Sequence, residues 1–431
     1  MERDCMKRLL EWKNRNNRKP LVLYGARQVG KTWIMKEFGK NYYEDTAYFN
    51  FEENSALSPL FQKNKNAKRL IELLTMIHGR AIIPGKTLII FDEVQECYEA
   101  LNSLKYFREN ANEYHIMAAG SLLGTSLAAH KSYPVGQVDI LNIYPLSFRE
   151  FIKAVNEGVF KFYETITTEG EIPELFHNRL TELYQFYLII GGMPECVASW
   201  IENRDPSLVT KIQRDILSLY ENDFSKHNQK INAARILMVY RSIVPQLAKE
   251  NKKFSYGTVK PGARAREFEE AIEWLVSARI VHRIYNVSAP LYSLKIYEET
   301  SHFKLYFLDT GLLKTMAEIE NEAIILDADF AFKGVLNENF VLQQFVSALD
   351  FKPHYFAPNS QQEIDFLIQR DMKIIPLEVK SGKTKRATSF KRFLEKYQPS
   401  VAVRYSERNY KKEGNFINMP LYLAGRVDLL K

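Results

Sequence analysis

Cysteine is scarce in this chain: Cys5, Cys97 and Cys196 are the three among 431 residues, widely spaced and odd in number. That excludes a disulfide framework and any cysteine-based zinc site, and it points to a reducing cytoplasm. Long apolar runs are missing too. The longest, Tyr187 to Met193 with its flanks, is broken by Gly191, Gly192 and Pro194, far short of the roughly 20 residues that a membrane span needs. Met1 to Arg8 is charged with no apolar core behind it, so neither a secretory leader nor a membrane partner is expected. No repeat or low-complexity tract is visible.

What is there describes an ordinary globular chain, with 46% hydrophobic and 26% charged residues. Its length exceeds what one core normally organises, so two to four domains are expected. The net charge of +7 is unevenly spread. Between Arg370 and Lys412 thirteen Lys and Arg face four acids, a local +9 that leaves the rest near neutral. Such an excess fits either a polyanion partner or a solvated basic surface.

Four segments emerge from the pattern of apolar residues. Residues 1–144 alternate short apolar runs with helical stretches, the mark of an α/β unit with a parallel sheet, whose strands are expected at Leu21–Tyr24, Ala47–Phe51, Thr87–Phe91, His115–Ala119 and Gln137–Ile143. Residues 145–230 are helical. Residues 231–329 read as three helices, then strands at Ile280–Tyr285 and Lys304–Leu308, the outline of a winged helix. Residues 330–431 open with a helix, Phe332–Leu349, and continue β-rich.

Gly25-Ala26-Arg27-Gln28-Val29-Gly30-Lys31-Thr32 is a complete Walker A loop between an apolar strand and a helix. Two glycines let the backbone curl so that its N–H groups point at phosphates. Lys31 is expected to reach the β- and γ-phosphates of ATP, and the Thr32 hydroxyl to coordinate Mg²⁺. About 60 residues on, Thr87-Leu88-Ile89-Ile90-Phe91-Asp92-Glu93 ends an apolar strand in two acids. Asp92 is expected to hold Mg²⁺, and Glu93 to orient the attacking water and take its proton. Ser121, after the next strand, is either a γ-phosphate sensor or a helix cap. Arg27 and Arg149 are candidate arginine fingers without a discriminating signal.

In the last segment Ile364–Ile368 and Pro376–Lys380 frame a short polar turn centred on Asp371-Met372. Read as a hairpin, it pairs residues whose numbers sum to 743, with Asp365 opposite Glu378 and Lys380 on the face of Glu378. Two carboxylates beside an ammonium suit Mg²⁺-dependent phosphodiester cleavage, with Glu338 as a further acid; a charge pair on a solvated hairpin is the plain alternative.

These motifs, with Phe91-Asp92-Glu93-Val94-Gln95, Gly120-Ser121, Pro145-Leu146-Ser147-Phe148-Arg149-Glu150-Phe151, Gly191-Gly192-Met193-Pro194-Glu195, Gly334 to Phe340, Glu363-Ile364-Asp365-Phe366 and Glu378-Val379-Lys380-Ser381-Gly382, resemble a large prokaryotic family of AAA-like ATPases with a C-terminal domain of uncharacterised function. The resemblance implies a P-loop ATPase core, a helical extension, a winged-helix module and a C-terminal domain similar to PD-(D/E)xK nucleases, with Asp365, Glu378 and Lys380 at the signature positions and Glu338 as the helix-borne acid. Ala26 and Trp33 depart from the commonest pattern without touching phosphate contacts. Lys252, Lys253, Lys260, Arg264 and Arg266 lie where a winged helix would meet DNA, although Glu267, Glu269, Glu270 and Glu273 come directly after them. The expectation is an ATP-driven switch or motor acting on DNA, with a protein partner or homo-oligomer also open. The alternative is a nucleotide-dependent signalling or scaffold protein whose nuclease-like domain binds without cleaving.

Overall fold

The computed structural model describes residues 1–63, 65–120, 136–226, 232–326, 328, 330–349, 352–359, 362–381 and 388–430. It divides into two compact units, residues 2–144 with 277–279, and residues 145–276 with 280–431. No described helix is long and apolar enough to cross a membrane.

The N-terminal unit is a five-stranded parallel sheet in the order β2-β3-β4-β1-β5, built from β1 (Leu21–Tyr24), β2 (Asp45–Asn50), β3 (Thr87–Asp92), β4 (His115–Gly120) and β5 (Asp139–Asn142). All five lie within two residues of the spans that the apolar runs predict. β1, β3 and β4 read as unbroken apolar runs because helices cover both faces of a parallel sheet, and every residue of β3 and β4 is buried. α1 (Cys5–Asn14) precedes the first strand, and the connections carry α2 (Lys31–Tyr42), α3 (Ser58–Lys63), α4 (Ala67–His78) and α5 (Tyr98–Asn110). A core of Phe49, Phe51, Phe61, Phe91 and Phe107 packs β2 and β3 against α3 and α5, with Phe51, Phe61 and Phe91 meeting edge to face.

The C-terminal unit begins with five helices, α6 (Phe148–Val155), α7 (Glu157–Thr165), α8 (Glu174–Ile190), α9 (Pro194–Asn203) and α10 (Pro206–Lys226). A capping box starts α6, where the Ser147 side chain accepts from the Glu150 N–H and the Glu150 carboxylate from the Ser147 N–H. The Gly191-Gly192 break after α8 has a steric cause. A Cβ on Gly191 would lie 2.1 Å from Asp309 Oδ1, and one on Gly192 would lie 2.1 Å from the Leu146 carbonyl oxygen. That closeness lets the wholly buried Asp309 accept from the Gly192 N–H (2.7 Å), the Leu312 N–H (3.0 Å) and Gln343 Nε2 (2.9 Å).

Next come α11 (Ala233–Leu247), α12 (Tyr256–Val259), α13 (Ala265–Ser277) and the antiparallel pair β6 (Val281–Val287) and β7 (Glu298–Phe307). This ribbon is continuous with the C-terminal strands: β6 pairs with β8 (His354–Asn359), so one eight-stranded sheet runs β12-β13-β11-β10-β9-β8-β6-β7. Its other strands are β9 (Gln362–Arg370), β10 (Lys373–Val379), β11 (Ala402–Ser406), β12 (Lys411–Glu413) and β13 (Phe416–Pro420). Helices α14 (Thr310–Met316), α15 (Asn321–Ile325), α16 (Lys333–Ala348) and α17 (Thr388–Tyr397) complete the unit. The β9–β10 hairpin pairs Lys373 with Arg370 and Leu377 with Phe366, the register read from the sequence, and Asp371 and Met372 turn it with positive φ of 48° and 61°.

At the start of β4, His115 is buried, with Nδ1 2.7 Å from the Tyr43 hydroxyl and its ring edge-on to Trp12. Burial, then the charges of Arg18 and Lys13, push it down to about 4. As pH falls below the ordinary histidine value, the unfolded chain takes a proton that the folded chain refuses. This contribution to stability is therefore lost between about 6.5 and 4 as pH falls. Denaturant titrations across that window should show His115→Gln losing less stability on acidification than the wild type; parallel losses would contradict this.

Candidate functional site

β1 feeds directly into the loop 25–30 and α2, so the sheet's carboxyl edge carries a tight curl of backbone. Gln28 and Gly30 have φ of 66° and 90°. Gly25 has no room for a side chain, since a Cβ would meet the Ile143 carbonyl oxygen at 2.2 Å. The buried Lys31 folds back so that Nζ donates to the carbonyls of Gly25 (3.0 Å) and Ala26 (2.8 Å). Burial lowers it to about 8, while the charges of Glu93 and Asp92 work to raise it. The lysine thus stands inside the curl of its own loop, near two acids.

Asp92 ends β3, buried, and three groups hold it. The Thr32 hydroxyl donates to Oδ2 at 2.7 Å, the Tyr48 hydroxyl to Oδ2 at 2.9 Å, and the Glu93 N–H to Oδ1 at 3.1 Å. Burial and then the charge of Glu93 push its carboxyl upward against the Thr32 bond. Glu93 has a left-handed backbone, φ 50°, and its Oε2 accepts from Gln95 Nε2 at 2.7 Å. Walker A and the acidic strand end therefore meet through Thr32 and Asp92. That pair of oxygens is the hard donor set that Mg²⁺ prefers, and the cramped glycine at 25 leaves backbone where a phosphate would approach.

Three residues here escape the sequence reading. Tyr48 lies on β2, where alternating burial puts Ala47 and Phe49 in the core and turns Tyr48 and Asn50 the other way; that alternation is the signal that could have found it. Gln95 sits two residues after Glu93, and no feature of the sequence assigns it a role. The buried Arg3 donates to the carbonyls of Val29 (3.1 Å) and Tyr144 (2.7 Å) and so braces the loop; nothing local in the sequence marks it. Ser121 lies outside the described residues. Arg149 is paired with Glu164, Nη2 to Oε2 at 2.7 Å, which uses the guanidinium in that bond.

Three of the C-terminal acids are bound by cations and the fourth by a backbone N–H. Glu338, on α16, accepts from Lys252 Nζ at 2.6 Å and from the Tyr306 hydroxyl at 3.1 Å. Glu378 is paired with Lys380 Nζ and Arg404 Nε, both at 3.0 Å. Asp365 accepts from the Val379 N–H at 2.7 Å, and Glu363 from the wholly buried Lys304. Burial works to raise Glu338, but the charges of Lys252 and Lys304 outweigh it and hold the carboxyl low. Asp365 is pushed up to about 7 by burial and then by Glu338. Among the described residues no three His, Cys, Asp or Glu side chains are grouped so as to hold a metal ion. Lys252, a phosphate contact by its place in the sequence, instead turns into this cluster, while Lys260, Arg264 and Arg266 stay exposed.

Comparison with known proteins agrees with this division. Residues 17–152 match the model of a family described as an AAA domain, and residues 181–323 and 333–423 match two families described as domains of unknown function. The N-terminal unit thus carries an AAA-type P-loop ATPase domain. The chain is 25% identical over 356 residues to an uncharacterized protein of Methanocaldococcus jannaschii, covering 80% of this chain and 71% of that one. Among solved structures it is similar to the Walker-type ATPase of Pyrococcus abyssi (15% identity, TM-score 0.46, 73% of this chain and 95% of that one). It is also similar to the ORC1 protein of Aeropyrum pernix in complex with DNA (13% identity, TM-score 0.31, 73% and 91%).

The Tyr48 hydroxyl is one of three donors that keep Asp92 in place, and a hydrogen bond to a charged group contributes about 1.5–3 kcal/mol. Tyr48→Phe should raise the Mg²⁺ concentration needed for half-maximal ATP hydrolysis by roughly tenfold. An unchanged Mg²⁺ dependence would show that Thr32 and the Glu93 amide suffice.

Proposed function

We propose that this chain is an ATP-hydrolysing switch whose N-terminal unit binds ATP·Mg²⁺ and whose C-terminal unit contacts DNA. The single observation that carries the nucleotide part is the 2.7 Å bond from the Thr32 hydroxyl to Asp92, which joins the phosphate loop to the acidic strand end. In this reading the N–H groups of Gly25 to Thr32 cradle the phosphates, and the Lys31 ammonium leaves the carbonyls of Gly25 and Ala26 for the β- and γ-phosphate oxygens. Thr32 and Asp92 would hold Mg²⁺, which supplies charge neutralisation on the phosphates. Glu93 orients a water for in-line attack on the γ-phosphorus and takes its proton, as the bond to the β-γ bridging oxygen breaks and ADP departs with that electron pair. Gln95 holds the Glu93 carboxylate until then.

For the C-terminal unit, the α11–α12–α13 helices with the β6–β7 ribbon have the outline of a winged helix. Two sets of basic side chains are exposed, Lys260, Arg264 and Arg266, and Lys391, Arg392 and Lys396 on α17. This supports DNA contact through phosphates, which is salt-dependent and needs no base reading. The nuclease-like reading of Glu338, Asp365, Glu378 and Lys380 enters in its weaker form, binding without cleavage. The favouring observation is that Glu338 and Glu378 are already neutralised by Lys252, Lys380 and Arg404.

ATP turnover measured with and without duplex DNA tests both halves together. The wild type should hydrolyse ATP at a rate that duplex DNA changes. Glu93→Gln should retain ATP but turn it over about 10²–10⁴-fold more slowly, the usual weight of a general base. Native turnover in Glu93→Gln would remove that residue from the mechanism, and a rate indifferent to DNA would remove the DNA half alone.

A further inference from the structure

The acid cluster of the C-terminal unit poses a question that the nucleotide site does not touch. Carboxylates brought together in a protein need cations, and the two usual solutions are a divalent metal or basic side chains. Here the acid on α16 is neutralised from a distance in sequence. Lys252 lies in the connection between α11 and α12, 86 residues before its partner, in a backbone conformation with φ 49°. Its side chain is 15% exposed and that of Glu338 is 6% exposed. The second Glu338 oxygen takes the Tyr306 hydroxyl, so both oxygens are occupied.

The pair can be reached from outside. A cavity of about 460 Å³ is lined by Lys249, Lys252, Gly334, Glu338, Lys380 and Ser381, and it reaches the pair from one side. The remaining cations are distributed one by one: Lys304 on Glu363, and Lys380 with Arg404 on Glu378. Asp365 alone has no ion pair among the described contacts; its bonded partner is the Val379 N–H. The charges of Lys252, Lys380 and Lys304 all act on Asp365 against burial and the charge of Glu338.

We propose that Lys252 is an internal substitute for a divalent cation: its ammonium is seated on Glu338, beside Asp365, and keeps this centre free of metal. The connection that bears Lys252 thereby pins the helices 233–277 to α16 and the β9–β10 hairpin. A docked Lys252 and a bound divalent ion become mutually exclusive. In the resting chain the acids are ion-pair partners. Once the ammonium leaves, Glu338 and Asp365 are two oxygen-donor groups that oppose each other's ionisation, which Mn²⁺ or Mg²⁺ relieves and a monovalent ion does not. This inference deepens the non-cleaving reading of the C-terminal unit and is independent of ATP hydrolysis.

The test uses the full chain without nucleotide, with Mn²⁺ as probe, followed by its electron paramagnetic resonance signal and by the melting temperature of the protein. Wild type should show no Mn²⁺ binding that Glu338→Gln removes, and no rise in melting temperature. Lys252→Met should melt lower in the absence of metal, bind Mn²⁺ roughly tenfold or more tightly than wild type, and regain part of the lost melting temperature. The double variant Lys252→Met/Glu338→Gln should lose that binding. Should Lys252→Met not fold, Lys252→Gln, which keeps a donor for Glu338, serves the same comparison. Two results overturn the proposal: wild type binding Mn²⁺ in a Glu338-dependent way, or neither Lys252 variant gaining Mn²⁺ affinity, which would make the pair an ordinary structural ion pair. Either result leaves the ATPase reading standing, because no nucleotide is present.

Discussion

A lysine ammonium stripped of water beside two acids is stable only when its surroundings replace the solvent, and that constraint organises the N-terminal unit. Lys31 finds its replacement in the carbonyls of its own loop. The loop can turn those carbonyls inward because Gly25 has no side chain to strike Ile143 and Gly30 takes a left-handed φ. Asp92 in turn accepts from Thr32, Tyr48 and the next amide. The parallel sheet supplies rigidity, delivering both parts to the same edge by ending β1 and β3 where the chemistry begins.

The same electrostatic economy has a different solution in the C-terminal unit. There three acids, Glu338, Glu363 and Glu378, meet four basic side chains, and a fourth, Asp365, accepts a backbone N–H instead. Burying charges costs more than their attraction returns unless every one is matched. A matched network stabilises the ribbon, α16 and the hairpin as one body, and it leaves fewer free lone pairs for other work. The wholly buried Asp309 takes a third course, accepting N–H bonds that the glycine pair at 191 and 192 makes reachable.

Legibility in the sequence depends on distance along the chain. The phosphate loop and the run from Thr87 to Glu93 are local signals, eight and seven residues long, and periodicity places all five strands of the first sheet. The hairpin register is equally local, because two residues at positive φ fix it. Contacts across long separations are not legible. Tyr48 to Asp92, Arg3 to Val29 and Lys252 to Glu338 each depend on the fold bringing together residues with no shared pattern. Lys252 shows the cost: in sequence it is one basic residue among several, and only the fold shows that its charge is already used. The continuity of β6 with β8 is hidden for the same reason, since the strands are joined through more than sixty residues that include a strand, helices and loops.

As a triphosphate cradle, the curl from Gly25 to Thr32 depends on Lys31 for its charge. Equilibrium titration of the full chain with a fluorescent ATP analogue and Mg²⁺, wild type against Lys31→Ala, measures this directly. The account predicts saturable binding that the substitution weakens by about a hundredfold or more, the weight of a lost charge-assisted contact to phosphate. Equal affinity in the two proteins would contradict it.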